Sequence, residues 1–329
     1  MLNPEAKLVP DIFAKEVAKK STRDGFGTGS VEAGRADPRV VVLCADLAES
    51  TRAEWFQKEF PDRFIELGVA EQNLATVGSG MAAAGKIPFV ASYAAFSPGR
   101  NYEQIRTTIA LNRQPVKVCG MHAGIQTGPD GATHQMLEDI ALMRVLPNMT
   151  VIVPADAEEA RKATVAAAKF DGPVYLRFGR SNVPVFTTPE TPFSIGKALT
   201  LYESANPELV LVATGSVAYE TLVAAHELEK DGIGSIVINL PTVKPLDEEA
   251  LVAAAKRAGR VVTVEEHEVM GGAGSAVAEA LARLHPVPMR FLGLHDVFGQ
   301  SGECDELFDL YGLSPKKIAA SAREFVRGS

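Results

Sequence analysis

Cysteine is scarce: three in 329 residues, at Cys44, Cys119 and Cys304, with no Cys-x-x-Cys spacing. That argues against a disulfide framework and a thiolate zinc site, and fits a reducing compartment. Long apolar runs are missing as well. No stretch approaches the ~18 uninterrupted apolar residues of a membrane span, and Met1 to Lys20 holds nothing like a signal-peptide core. Positive charge is in deficit, with 33 Lys and Arg against 41 Asp and Glu, a net charge of −8. No polyanion-binding surface is expected, although a few buried arginines suffice for a small anionic substrate. The sequence also shows no short-period repeat and no low-complexity tract. The expectation is a soluble cytoplasmic protein that binds neither nucleic acid nor membrane.

Hydrophobic residues make up 46% and charged residues 22%, an ordinary globular balance. At roughly 150 residues per domain the length allows two domains. Short β-branched apolar runs alternate with longer helical patterns. Strands are expected at Val40 to Leu43, Phe64 to Leu67, Ile87 to Ala91, Val116 to Cys119, Thr150 to Val153 and Val174 to Leu176. Such runs, separated by helices, are the mark of a largely parallel sheet covered on both faces. Val183 to Gly196, with three prolines and no periodicity, reads as a linker. The alternation then restarts, with strands at Leu209 to Ala213, Ser235 to Asn239, Val261 to Val264 and Met289 to Leu292. The fold class is therefore α/β, two consecutive domains covering 1–188 and 189–329, each a largely parallel sheet flanked by helices.

Ligands of open α/β sheets bind at the carboxyl ends of the strands, and several residues stand out there. Glu71, in Gly68-Val69-Ala70-Glu71-Gln72-Asn73, follows a strand and opens a helix; taken alone it is compatible with simple N-terminal charge preference. The helix it opens carries Gly78, Gly80, Gly85 and several alanines, so a close approach by another element is expected. His122 and His134 flank Asp130 in a glycine-rich loop after Cys119. The residues leave open metal ligation, surface capping and proton transfer. Arg180 after Phe178-Gly179 is either an anion ligand or a solvated cation. Tyr93 and Phe96 are either core residues or a stacking platform for a flat heterocycle. Gly25-Phe26-Gly27-Thr28-Gly29 has the wrong spacing for a dinucleotide fingerprint and no preceding strand; Gly271-Gly272-Ala273-Gly274 reads as a packing element.

Together these segments resemble the carboxyl-terminal half of transketolase. The match runs through Asp46-Leu47, Gly68 to Asn73, Asp130-Gly131-Ala132-Thr133-His134-Gln135, Leu146-Pro147-Asn148-Met149-Thr150-Val151, Val153-Pro154-Ala155-Asp156 and Arg180. It covers nearly the whole chain: the pyrimidine-binding domain, then the carboxyl-terminal domain. The resemblance implies thiamine diphosphate chemistry. In that family the matching glutamate, here Glu71, hydrogen-bonds the aminopyrimidine and promotes its imino tautomer, which takes the proton from the thiazolium carbon. Tyr93 and Phe96 match the aromatic pair around the pyrimidine, with Tyr93 where transketolases usually have Phe, and Asp46 matches an acid near the cofactor. Asp130 and His134 match contacts to the hydroxyls of the ketose donor, and His122 a contact nearer the phosphate end. Arg23, Ser50 and Arg180 match the phosphate-binding set.

Two departures qualify the resemblance. Ala70-Glu71-Gln72 stands where many transketolases have Arg-Glu-His, and Glu-Gln is shared with 1-deoxyxylulose-5-phosphate synthase and the 2-oxo acid dehydrogenase β subunits. The Asp130 to Gln135 loop and Arg180 favour transketolase over the dehydrogenases. More telling, the family binds Mg²⁺ and the diphosphate through Gly-Asp-Gly and a downstream Asn. Asp-Gly occurs here at Asp24, Asp130, Asp171 and Asp231, preceded by Arg23, Pro129, Phe170 and Lys230. A diphosphate needs a cation and oxygen ligands, so the Mg²⁺ site is expected on a partner. The implied assembly is a heterotetramer of two such chains, paired with each other, and two amino-terminal transketolase subunits, acting on sugar phosphates. The alternatives are a dehydrogenase β subunit, a synthase fragment, and a non-catalytic module of the same fold.

Overall fold

The computed structural model describes residues 1–14 and 16–328. Fourteen strands are found among them: β1 (Lys19–Lys20), β2 (Val40–Cys44), β3 (Phe64–Glu66), β4 (Ile87–Tyr93), β5 (Lys117–Met121), β6 (Thr150–Ile152), β7 (Val174–Arg177), β8 (Val183–Pro184), β9 (Leu199–Glu203), β10 (Leu209–Thr214), β11 (Ser235–Asn239), β12 (Thr242–Lys244), β13 (Val261–Glu268) and β14 (Met289–Leu294). Seven form one sheet in the order β12-β6-β7-β5-β4-β2-β3, parallel except for β12. Five form a second in the order β14-β13-β10-β11-β9, parallel except for β9. The fold is thus α/β with two largely parallel sheets flanked by helices.

The central strands of both sheets are buried on both faces, which is why they are largely continuous apolar runs rather than alternating ones. Val41 and Leu43 point into one core layer while Val40, Val42 and Cys44 point into the other. In the second sheet Leu209, Leu211 and Ala213 face one layer, Val210 and Val212 the opposite one. Among the described residues no helix is long and apolar enough to cross a membrane.

The glycines of Gly25-Phe26-Gly27-Thr28-Gly29 lie inside the helix Thr22–Ala36, opened by a reciprocal Ser21–Asp24 capping box. They serve packing against the helix Ala157–Lys169. A Cβ at Gly25 would stand 2.2 Å from the Ala157 carbonyl oxygen, and one at Gly29 2.8 Å from that of Arg161. The helix Glu71–Ala83 makes its close approach within the chain: a Cβ at Gly78 would meet Val90 at 2.6 Å. Its Gln72, Asn73, Thr76 and Gly80 face outward. The proline-rich segment after Val183 is tied down at its start. β8 pairs with β1, and the buried Asp156 carboxylate accepts from the Phe186 and Thr187 amides at 2.8 and 2.7 Å while capping the helix that follows it.

The Gly271 to Gly274 turn is shaped around an acid. Buried Glu265 accepts from the Ala273 and Gly274 amides at 2.6 and 2.9 Å, which caps the helix Ala273–Leu284. A Cβ at Gly272 would sit 2.2 Å from its carboxylate, so the glycine is required by that close approach.

Candidate active site

The carboxyl edge of the seven-stranded sheet gathers the singled-out residues from five strand ends. Asp46 and Ser50 follow β2, Glu71 follows β3, Tyr93 and Phe96 end and follow β4, His122, Asp130 and His134 follow β5, and Arg180 follows β7. Arg23 joins them from the first turn of the helix Thr22–Ala36. Adjacent parallel strands with matched register place these turns side by side.

Glu71 is 2% exposed. Its Oε2 accepts from Arg100 Nη1 at 2.7 Å, and its backbone carbonyl accepts from Asn101 Nδ2 at 2.8 Å. Arg100 is half-exposed and lies over the Phe96 ring, 5.0 Å from its centroid. The buried carboxylate is thereby connected to the aromatic platform. Tyr93 and Phe96 are near parallel, with centroids 5.9 Å apart and planes at 18°. Tyr93 also stacks on His122 at 3.8 Å, while His134 presents its edge to Phe96 at 5.5 Å. Tyr93 and Phe96 are only partly buried, so this cluster of two aromatic rings and two imidazoles leaves ring surface open to a ligand.

Beyond His122 lies a cationic cluster. Arg23 Nη1 donates to the Ser50 backbone carbonyl at 2.8 Å, which places Arg23 and Ser50 side by side. Arg180 Nη1 donates to the Thr127 carbonyl at 3.2 Å. Arg52, which sequence reasoning missed, adds a third guanidinium anchored on Asp24 at 2.7 Å. Burial, then Arg52, and more weakly Arg180, push the Arg23 guanidinium down from its ordinary value, with Asp24 opposing. Two buried polar atoms here, Arg23 Nε and His122 Nδ1, have no hydrogen-bond partner among the described residues, as groups left free for a ligand would.

Asp46 has φ +59° and its amide donates to Glu66 Oε1 at 2.7 Å, which leaves its own side chain exposed. Asp130 is exposed at the tip of the segment Ile125–Asp130. His134 Nδ1 pairs with Thr133 Oγ1 at 2.8 Å. Among the described residues no group of three His, Cys, Asp or Glu side chains could hold a metal ion.

His122 is held neutral. Burial, followed by Arg23, Arg180, His134 and Arg52, pushes its imidazole down to about 3 from 6.5. A depressed folded value means that its contribution to stability is fully present above pH 6.5 and is lost as pH falls toward about 3. A histidine NMR titration of the free chain should therefore show no His122 midpoint between pH 5 and 8. Adding inorganic phosphate should move the midpoint upward, because a dianion offsets the guanidinium charges; a midpoint near 6.5 without phosphate would contradict the cluster.

Comparison with known proteins gives the family. Residues 18–185 match the family model "Transketolase, pyrimidine binding domain" and residues 196–318 match "Transketolase, C-terminal domain". The chain belongs to the transketolase family. It is 42% identical over 309 residues to a putative transketolase C-terminal section of Methanocaldococcus jannaschii, covering 93% of this chain and 96% of that one. It is 40% identical over 312 residues to a 6-deoxy-6-sulfo-D-fructose transketolase subunit of a Clostridium species, covering 95% and 96%. Among solved structures, one described as a split gene transketolase, inactive β4 tetramer, superposes with a TM-score of 0.85 at 43% identity, covering 93% of this chain and 98% of that chain.

Membership in a transketolase family with a pyrimidine-binding domain implies thiamine diphosphate as the cofactor, and the chain is a subunit of a thiamine diphosphate-dependent transferase. The residues present fit one half of that group. A buried carboxylate beside a partly buried aromatic pair suits a flat aminopyrimidine, whereas a metal–diphosphate has no ligand cluster among the described residues.

Proposed function

We propose that this chain is the carboxyl-terminal subunit of a two-chain transketolase. Two copies pair with two amino-terminal subunits in a heterotetramer, which moves a two-carbon ketol group from a ketose phosphate to an aldose phosphate. The observation that supports this best is the convergence at one sheet edge of a buried glutamate, an aromatic pair, two imidazoles and three guanidiniums. The division between the domains falls near residue 188 in this reading.

When bound, thiamine diphosphate supplies a carbon nucleophile able to hold and release a ketol unit. Glu71 hydrogen-bonds the pyrimidine ring while Tyr93 and Phe96 enclose it and exclude water, with Asp46 nearby. Asp130 and His134 bind the donor hydroxyls. Neutral His122 offers its unpaired Nδ1 to the sugar or its anion. Arg23, Ser50 and Arg180, reinforced by Arg52, hold the terminal phosphate, for which several guanidiniums suit a dianion. The Clostridium relative is named for a 6-deoxy-6-sulfo sugar, whose terminal sulfonate is likewise an anion. The Mg²⁺ and diphosphate ligands are assigned to the amino-terminal subunit.

The test is to purify the tagged chain under mild conditions from its host, identify stoichiometric companions by mass spectrometry and assay ketol transfer between sugar phosphates. The expected result is a companion carrying Gly-Asp-Gly with a downstream Asn and transfer activity only from the pair. Recovery of this chain alone, without thiamine diphosphate or activity, would leave the non-catalytic module of this fold as the reading.

A further inference from the structure

The second domain reaches into the anion end of the site through one buried carboxylate. Glu266 lies in β13 of the five-stranded sheet and is buried. Its Oε1 accepts from the backbone amide of Gln126 at 2.6 Å, and its Oε2 accepts from Gln126 Nε2 at 2.7 Å and from Ser216 Oγ at 3.2 Å. Gln126 belongs to the segment Ile125–Asp130 that follows β5 in the other domain.

From Gln126 the contacts lead directly to the site. Its carbonyl accepts from Ser181 Oγ at 2.7 Å, next to Arg180. The following residue, Thr127, accepts Arg180 Nη1 on its carbonyl and donates its hydroxyl to the His122 carbonyl at 2.5 Å. Two glycines shape the contact from either side. A Cβ at Gly124 would stand 2.2 Å from Glu266 Oε1, and one at Gly179 2.0 Å from Gln126 Oε1. Gly124 also has φ +81°, a conformation that side chains rarely adopt.

A carboxylate is a costly choice for mere packing. Burial pushes the Glu266 carboxyl up from its ordinary value, against Arg177 and the donors on Gln126 and Ser216. In return, a group that only accepts fixes the orientation of the Gln126 amide, with Nε2 toward Glu266 and the main chain locked through its N–H.

We propose that Glu266 is a positioning residue for the anion-binding end of the site, acting through Gln126 to fix the Thr127 carbonyl on which Arg180 rests. The inference rests on the transketolase reading of Arg180 and His122. It makes the second domain part of the substrate site without placing any of its atoms on the substrate.

The test uses the full chain, free of any partner, with inorganic phosphate as the probe. The variants are Glu266→Gln and the exchanged pair Gln126→Glu with Glu266→Gln, which restores a donor–acceptor match with the polarity reversed. For Glu266→Gln, amide hydrogen exchange should rise about tenfold or more in the peptide spanning 122–135 and not in the rest of the five-stranded sheet, and phosphate affinity should fall by about tenfold, the scale of one hydrogen bond to a charged group. The exchanged pair should recover most of both. Ser216→Ala removes one donor and should shift both readings less, in the same direction, which keeps the test readable if Glu266→Gln does not fold. Unchanged phosphate affinity, exchange that rises equally in both domains, no recovery in the pair, or a wild-type chain that binds no phosphate would overturn the proposal. Because none of these measurements needs turnover, failure of ketol transfer with the companion would count against the function reading separately.

Discussion

Replacing Glu71 with alanine is expected to lower ketol-transfer turnover of the assembled complex by well over ~10²-fold, the effect typical of losing one acid–base group. The size follows from what Glu71 is asked to do: it is a buried carboxylate linked to the aromatic platform through Arg100. Folding should be nearly untouched. The bond that fixes the segment, from Asn101 Nδ2 to the Glu71 carbonyl, is made to the backbone and survives the substitution. Arg100 is half-exposed and can return its guanidinium to water, so losing this pair resembles losing a surface ion pair more than a buried one. The helix Glu71–Ala83 loses one acidic residue from its first turn, worth a few tenths of a kcal/mol up to about 1 kcal/mol. Steady-state kinetics beside a thermal melt thus separate the two effects. Near-wild-type turnover in Glu71→Ala would remove the transketolase assignment of the site, whatever the melt showed.

The parts of the fold that sequence reasoning reached share one physical cause. A parallel strand buried on both faces is largely apolar, so β2, β4, β10, β11 and the first half of β13 show themselves as short apolar runs rich in Val, Leu and Ile. Strands whose pairing is set by context do not. β1 is two exposed lysines, and β12 is Thr242, Val243 and Lys244, recruited as an antiparallel edge to the other domain's sheet. The helix Thr22–Ala36 was hidden by its glycines, which lower helix propensity and which tertiary packing against Ala157–Lys169 makes necessary.

The site divides in the same way. Glu71, Tyr93, Phe96, His122, His134 and Arg180 each end or follow a strand and belong to a local motif. Arg52 hides in a turn whose left-handed conformation, φ +66°, brings it back toward Asp24, 28 residues away in sequence. Arg100 finds Glu71 across 29 residues, and Glu266 finds Gln126 across 140. Such pairings come from how the loops and domains pack, and no spacing in the chain announces them. The one available hint for Glu266 was the polar run Glu265-Glu266-His267-Glu268 at the end of an otherwise apolar strand, where buried polar groups require partners.

That run leads to the second large effect. Asp139→Ala should destabilise the protein by about 3–5 kcal/mol, the range for removing one partner of a buried ion pair. Asp139 and Arg177 are 0% and 5% exposed, and Arg177 Nε donates to Asp139 Oδ2 at 2.8 Å. The same oxygen accepts the Tyr175 hydroxyl at 2.7 Å. His267 does not share the charge, although its Nε2 lies 3.8 Å from Asp139 Oδ1. Nδ1 is within 2.6 Å of the Glu268 carbonyl and so carries the proton, while Nε2 accepts the Ile140 amide at 3.1 Å, the neutral tautomer. Burial accordingly pushes this imidazole down to about 4. Arg177 is therefore left facing a cavity, with the carbonyls of Glu266 and Met136 at 2.9 and 3.4 Å as its remaining acceptors. The penalty is that of a stranded guanidinium more than of the pair itself, and this can be separated experimentally. Asp139→Ala combined with Arg177→Met should recover much of the loss in denaturant unfolding, because no charge remains buried without a partner. Equal or additive destabilisation in the double variant would show instead that the ion pair itself, and not the avoidance of a stranded charge, supplies the stability.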